Sequence, residues 1–219
     1  MRLAELSAAT GVSPASIKFY LRAGLLPPGE RINPTRAEYG SAHAERLRLI
    51  QGLRSQVGLG LDAIRRILDA AEGADRPGPR RLALLGTVQA VVLGLDGDRP
   101  HHAPAVDALI ADMGWPDAES DARAAVDAQI KAMAGAGLAV DPGVLAAYGR
   151  AADSIADFQL TATESRGSLD ETILTAALGM HLHNRLVLKI IALAQASQSI
   201  RRYAAGGPGA GPPATGRSR

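Results

Sequence analysis

SPASIKFYLRAGLL, Ser13 to Leu26, carries its own start and stop for a short helix. Ser13 is suited to accept a hydrogen bond from a backbone N–H of the first turn, and Pro14 suits the first helical position because its missing N–H would have no partner there. Gly24 favours the left-handed conformation that ends helices, and Leu25-Leu26-Pro27 leads away from it. Between these signals Lys18, Phe19, Tyr20 and Arg22 form a basic and aromatic face. Upstream, Leu3, Leu6 and Ala9 recur at helical spacing, and Thr10-Gly11-Val12 closes that first helix with a turn. Two short helices joined by a glycine-containing turn predict a helix-turn-helix, whose second member lies in the DNA major groove.

Downstream, PPGERINPTRAEYG, Pro27 to Gly40, lacks helical periodicity and holds three prolines, which break helices. It predicts a loop or two-stranded wing in which Arg31-Ile32 pairs with Ala37-Glu38-Tyr39. A third helix starts at Ser41, with Leu47, Ile50 and Leu53 on one stripe and Arg46, Arg48 and Arg54 around its other faces. After Gly58-Leu59-Gly60, the residues Leu61, Ile64, Ile67 and Leu68 predict a fourth amphipathic helix.

Arg76-Pro77-Gly78-Pro79-Arg80 reads as a linker and sets an expected boundary near residue 75. The expected division is a DNA-binding domain at 1–75, an all-helical dimerisation or effector domain at 76–204 and a Gly/Pro-rich disordered tail at 205–219. Helices are expected over Leu82–Leu95, Ala105–Met113, Ser120–Ala136, Pro142–Ser165 and Ser168–Tyr203, which makes the fold class all-α with a minor β wing. The Leu82 helix is apolar around more than half its circumference, so a four-helix core or a partner subunit must cover it. The last helix is unusually long, consistent with a kink near Gly179 or a subunit contact.

The 219 residues carry a net charge of +2, too small to mark a nucleic-acid binder. Its distribution is more informative. Met1 to Glu72 holds ten Lys or Arg against seven Asp or Glu, and the remainder fourteen against fifteen, so the basic excess lies with the helix-turn-helix. The absence of cysteine removes disulfides, thiolate metal sites and Cys nucleophiles. No signal peptide or membrane-spanning run is evident, which predicts a cytoplasmic protein. There is no Gly-rich phosphate loop, nucleophile elbow or persuasive carboxylate pair, so no enzyme and no cofactor are expected. His101-His102, with Asp96 and Asp98 nearby, lacks a third placed ligand, and His181 and His183 point to different faces of one helix, so no metal site is assigned.

Five elements in order make the first seventy residues similar to the MerR family of transcriptional regulators. They are Gly11-Val12-Ser13, Ile17-Lys18-Phe19-Tyr20 with Gly24-Leu25-Leu26, Arg36-Ala37-Glu38-Tyr39, Arg46-Leu47-Arg48-Leu49-Ile50, and Gly58-Leu59-Gly60-Leu61-Asp62-Ala63-Ile64. The resemblance implies a winged helix-turn-helix acting as a homodimer on a pseudo-palindromic promoter site, bending or untwisting double-stranded DNA so that RNA polymerase engages both promoter elements. Carried onto this chain, Ser16, Lys18 and Phe19 face the groove or its walls, beside Ser13 at the cap. Tyr20, Arg36 and Tyr39 hold phosphates, with Arg31 and Arg54 as weaker contacts.

The chain also departs from the family's pattern. Lys18 stands where an arginine is usual, keeping the charge but losing the planar fork, and Leu21 replaces a common acidic residue. Without cysteines, the metal- and redox-sensing classes of effector are excluded. A small organic effector remains, for which Trp115, Tyr148 and Phe158 are the candidate pocket residues in a chain with so few aromatics. The plainer reading of Trp115 is a core plug, and of the Phe19 and Tyr20 pair that one packs on the third helix while the other faces DNA. Two other functions compete with promoter regulation. One is an architectural or recombination accessory protein, and the other is a protein-interaction module whose basic face meets an acidic partner. Sequence preference separates DNA readers from the last of these.

Overall fold

The computed structural model describes residues 1–33, 36–95, 103–116, 120–162 and 167–203, with Arg36, Thr161 and Ala162 described in their backbone only. The Asp96–His102 loop and the tail at 205–219 lie outside the described residues. Two short helices, α1 (Leu3–Thr10) and α2 (Pro14–Arg22), precede the antiparallel strands β1 (Glu30–Asn33) and β2 (Arg36–Glu38). Then follow α3 (Ser41–Gly52), α4 (Leu61–Ala71), α5 (Pro79–Leu93), α6 (Pro104–Met113), α7 (Asp121–Gly135), α8 (Pro142–Ala162) and α9 (Leu169–Tyr203). The architecture is all-α with a minor β wing. Arg31 pairs with Ala37 and Glu30 with Glu38, the pairing expected from the sequence.

Local chemistry explains most boundaries. Pro79 at the first turn starts α5 three residues before the expected Leu82, because proline is favoured where an N–H has no partner. Ser120 caps α7 by accepting from the Arg123 N–H at 3.2 Å. The third helix is entered from Gly40 rather than capped by the Ser41 side chain, and its last turn widens to a π-helical turn at Leu53–Val57.

The chain forms two compact units, Met1–His181 and Leu182–Arg219. The core of the first is built around α3, with Leu47, Leu49, Ile50 and Leu53 fully buried. Leu6 of α1, Ile17 of α2 and Ile64 and Ile67 of α4 close on it, each burial contributing about 1.5–3 kcal/mol. Leu84, Val88 and Val91 of α5 and Ile173 and Ala177 of α9 belong to the same core. Thus α5, whose apolar surface demanded several neighbours, packs on α4 and α7 within its own chain, while Leu82 is left exposed. Helix α8 packs on α6. Of the second unit, residues 182–203 are described and continue α9 as helix.

Candidate nucleic-acid interface

The turn between α1 and α2 is fixed by short-range hydrogen bonds. Gly11 adopts φ 70°, and its N–H donates to the Ser7 carbonyl at 2.9 Å. That left-handed conformation strains any residue bearing a Cβ. Ser7 Oγ donates to the Val12 carbonyl and Thr10 Oγ1 to the Leu6 carbonyl, both at 2.7 Å. Ser13 Oγ then accepts from the Ser16 N–H at 3.1 Å, and the two serine hydroxyls lie 2.9 Å apart. Ser13 therefore sets the start of α2, and its spare hydrogen-bonding capacity stays exposed beside Ser16.

Helix α2 is divided by burial. Val12, Ile17 and Tyr20 point into the core, whereas Lys18 is exposed and Phe19 is 39% exposed. The Phe19 and Tyr20 rings meet edge to face with centroids 5.7 Å apart. One aromatic of the pair is core and the other is surface, the division anticipated from the sequence. At the helix end the Tyr20 carbonyl accepts from both the Leu25 and Leu26 N–H groups, and Arg65 Nη2 donates to the Ala23 carbonyl at 2.9 Å. A guanidinium at a helix C-terminus complements its orphan carbonyls and its dipole. The recognition helix is thereby held at both ends with one face free.

Tyr20 still reaches the surface through its hydroxyl, which accepts from Arg54 Nη1 at 3.3 Å. Beside it lies an open groove of about 650 Å³ lined by Arg48, Gln51, Arg54, Ser55 and Gln56, with Gly52 and Leu174 at its floor. The groove brings two arginines, a tyrosine hydroxyl and two amide side chains together, a donor set that matches phosphate oxygens. Arg48 is the site member that sequence reasoning left unassigned. It stands one residue from the buried Leu47, so spacing marks it as outward-facing but does not bring it beside Tyr20.

In the wing, Arg31 and Ile32 are exposed on β1. Arg36 pairs with Asn33 through the backbone, and its side chain lies outside the described residues. Tyr39 sits at the wing's root, 7% exposed, with its ring edge-on to His43 at 5.2 Å. A Cβ on Gly29 would fall 2.9 Å from that ring, so the strand ends close there only around glycine. The Met1 ammonium donates to the Tyr39 carbonyl at 2.9 Å, and the Tyr39 N–H donates to the Met1 carbonyl at 2.8 Å, which ties the chain start to the wing. Tyr39 thus braces the wing by packing.

Arg46, which shares α3 with Arg48, faces elsewhere. Its Nε donates to Asp170 Oδ2 at 2.7 Å and its Nη2 to Asp170 Oδ1 at 3.1 Å, joining α3 to the first turn of α9. Trp115 Nε1 donates to Asp153 Oδ1 at 2.6 Å. Tyr148 and Phe158 are 67% and 72% exposed and stand ten residues apart on α8, about 15 Å along its axis. The three candidate effector residues are not gathered into a cavity. A second groove of about 480 Å³ lies against α3, α4 and the start of α9, and includes none of them. Among the described residues no group of three His, Asp or Glu could hold a metal ion, and no helix is long and apolar enough to cross a membrane.

The family model described as MerR HTH family regulatory protein matches residues 1–71. A crystal structure of a candidate transcriptional regulator from Streptomyces coelicolor A3(2) aligns with 93% of this chain and 98% of its own, at 31% identity and a TM-score of 0.61. The chain belongs to the MerR family. This MerR protein is accordingly a DNA-binding transcription regulator, not an enzyme, and the helix-turn-helix described above is its DNA-reading element. The similarity to the Streptomyces protein extends far beyond the helix-turn-helix and includes the helices from α5 onward. Among curated proteins no significant match is found.

Proposed function

We propose that this MerR protein acts as a homodimer on a pseudo-palindromic promoter site, each protomer setting α2 in one major groove with its wing on the flanking backbone. The observation that carries this reading is the two-sidedness of α2, which is locked by Val12, Ile17 and Tyr20 and leaves Ser16, Lys18 and Phe19 free. Ser16 and Lys18 are the base-edge candidates, and Phe19 suits apolar contact with a thymine methyl. Arg54, Arg48 and the Tyr20 hydroxyl take phosphates from the adjoining groove, while Arg31 and Arg36 do so from the wing.

In this scheme residues 1–75 read DNA and 76–204 dimerise and respond to a small organic ligand, with RNA polymerase as the partner at the promoter. The division is one of task, because Leu84, Val88 and Ile173 share the core of the reading head. That sharing favours regulation through packing: a change among the C-terminal helices reaches α3 through α9 and alters the angle between the two heads. Distorting the duplex between half-sites costs several kcal/mol, which wing contacts offset.

The test is a footprint of the full chain on DNA upstream of its own gene, beside a Lys18→Ala, Arg36→Ala double variant. Protection of two half-sites about one helical turn apart, lost in the variant, is the expected result. Protection no better than on random DNA would overturn the promoter reading.

A further inference from the structure

Helix α9 presents an apolar stripe on the side away from its own core. Its first turns bury Ile173, Ala176 and Ala177, while Leu182, Leu186, Ile190, Leu193 and Ile200 recur at helical spacing and are each at least 54% exposed. Single exposed apolar residues are ordinary, but a continuous row of this length marks an interaction surface. We infer that this stripe is the seat of a second copy of the chain, packed antiparallel with the two-fold axis at Leu186. The inference rests on the homodimer reading above and names its interface.

Three features select that occupant and that register. First, the stripe maps onto itself when reversed about Leu186: Leu182 meets Ile190, Gly179 meets Leu193 and Thr175 meets Ser197. Isologous contact between identical surfaces demands such self-complementarity, and the small Gly179 leaves room for Leu193. The matched stretch from Thr175 to Ser197 is about 33 Å long. Second, the charges are segregated by end. Asp170 and Glu171 open α9, Arg201 and Arg202 close it, and no acidic residue occurs from Thr172 to Tyr203. Reversal about Leu186 sets Arg201 against the other copy's Glu171. Asp170 is already held by Arg46, whereas Glu171 is exposed and uses one oxygen on the Ser168 N–H. A parallel pair would stack Lys189, Arg201 and Arg202 on their own copies, and like-charge juxtaposition costs affinity. Third, α5 has little free surface to compete, since Leu84, Val88, Ala90 and Val91 are buried within the chain.

Sedimentation of the full chain at micromolar concentration tests the interface. The expected species is a dimer, and Leu186→Glu weakens it roughly a hundredfold or more, because the two carboxylates meet at the axis in an apolar seam. Far-UV circular dichroism confirms that the variant stays folded, as expected for a position 54% exposed in the protomer. The chain has no cysteine, so Leu186→Cys is a clean probe. Mild oxidation should link two copies through residue 186 and not through Gln195→Cys, on the opposite side of the helix. Glu171→Arg and Arg201→Glu should each weaken the dimer, and together restore it. A dimer indifferent to Leu186→Glu, uncrosslinked at 186, or broken instead by Phe158→Glu on α8 would overturn this interface and leave the dimer reading intact. A chain that stays monomeric would overturn the dimer reading itself.

Discussion

Removing the carboxylate of Asp170 should loosen the C-terminal helix from the DNA-reading head by a measurable amount. The guanidinium of Arg46 makes two bonds to it, 2.7 and 3.1 Å, and the two side chains are 25% and 11% exposed. Hydrogen bonds to charged groups contribute about 1.5–3 kcal/mol, and exposed ion pairs about 0.2–1 kcal/mol. Partial burial and bidentate geometry place this pair between those limits, near 1.5–2 kcal/mol for Asp170→Ala. For a chain of this size that lowers the thermal midpoint by about 3–8 °C. Part of the loss is not the pair, because Asp170 also lies in the first turn of α9, where a negative charge gains about 0.3–1 kcal/mol from the helix dipole. A double-mutant cycle with Arg46→Ala subtracts that share. Melting of the four proteins, followed at 222 nm, should give a coupling energy of about 1 kcal/mol or more. Coupling below about 0.5 kcal/mol would mean that the pair behaves as a solvated surface contact, and would refute its role as the clasp between α3 and α9.

The neighbouring aromatics should separate cleanly in mutation. Tyr20→Ala should cost about 3–5 kcal/mol of stability, as buried aromatic truncations do, whereas Phe19→Ala should leave stability within about 1 kcal/mol and weaken operator binding instead; urea melts and DNA titrations of both variants check this. Gly11→Ala should destabilise by about 1–2 kcal/mol although nothing lies within 4 Å of the added Cβ, because the strain comes from φ 70° alone; an unchanged melting temperature would show that the turn relaxes.

The candidate interface was largely legible because its signals are local. Ser13, Pro14 and Gly24 bound α2 through contacts within four residues, and the alternation of Ile17 and Tyr20 with Lys18 and Phe19 assigns its faces through the helical period alone. The same logic gave the β1–β2 register. Long-range placement was not legible. Arg46, Arg48 and Arg54 look alike in sequence, yet Arg46 serves Asp170, 124 residues away, while the other two flank the Tyr20 hydroxyl. Tyr39 looked like a phosphate ligand because its spacing matches the family motif, and its burial against Gly29 and His43 appears only in three dimensions.

Sequence by itself determined where helices begin and end, which face of each is apolar, that a helix-turn-helix and wing stand at the N-terminus, and that cysteine chemistry is absent. Those properties depend on dihedral preferences, caps and periodicity, all of which act within a few residues. Tertiary structure alone decided which apolar faces were used up inside the chain and which were left over. It covered α5, brought Ile173 and Asp170 onto α3, and left the outer stripe of α9 bare. The physical reason is that hydrophobic burial is non-directional: a pattern shows that a face must be covered, and only packing chooses by what.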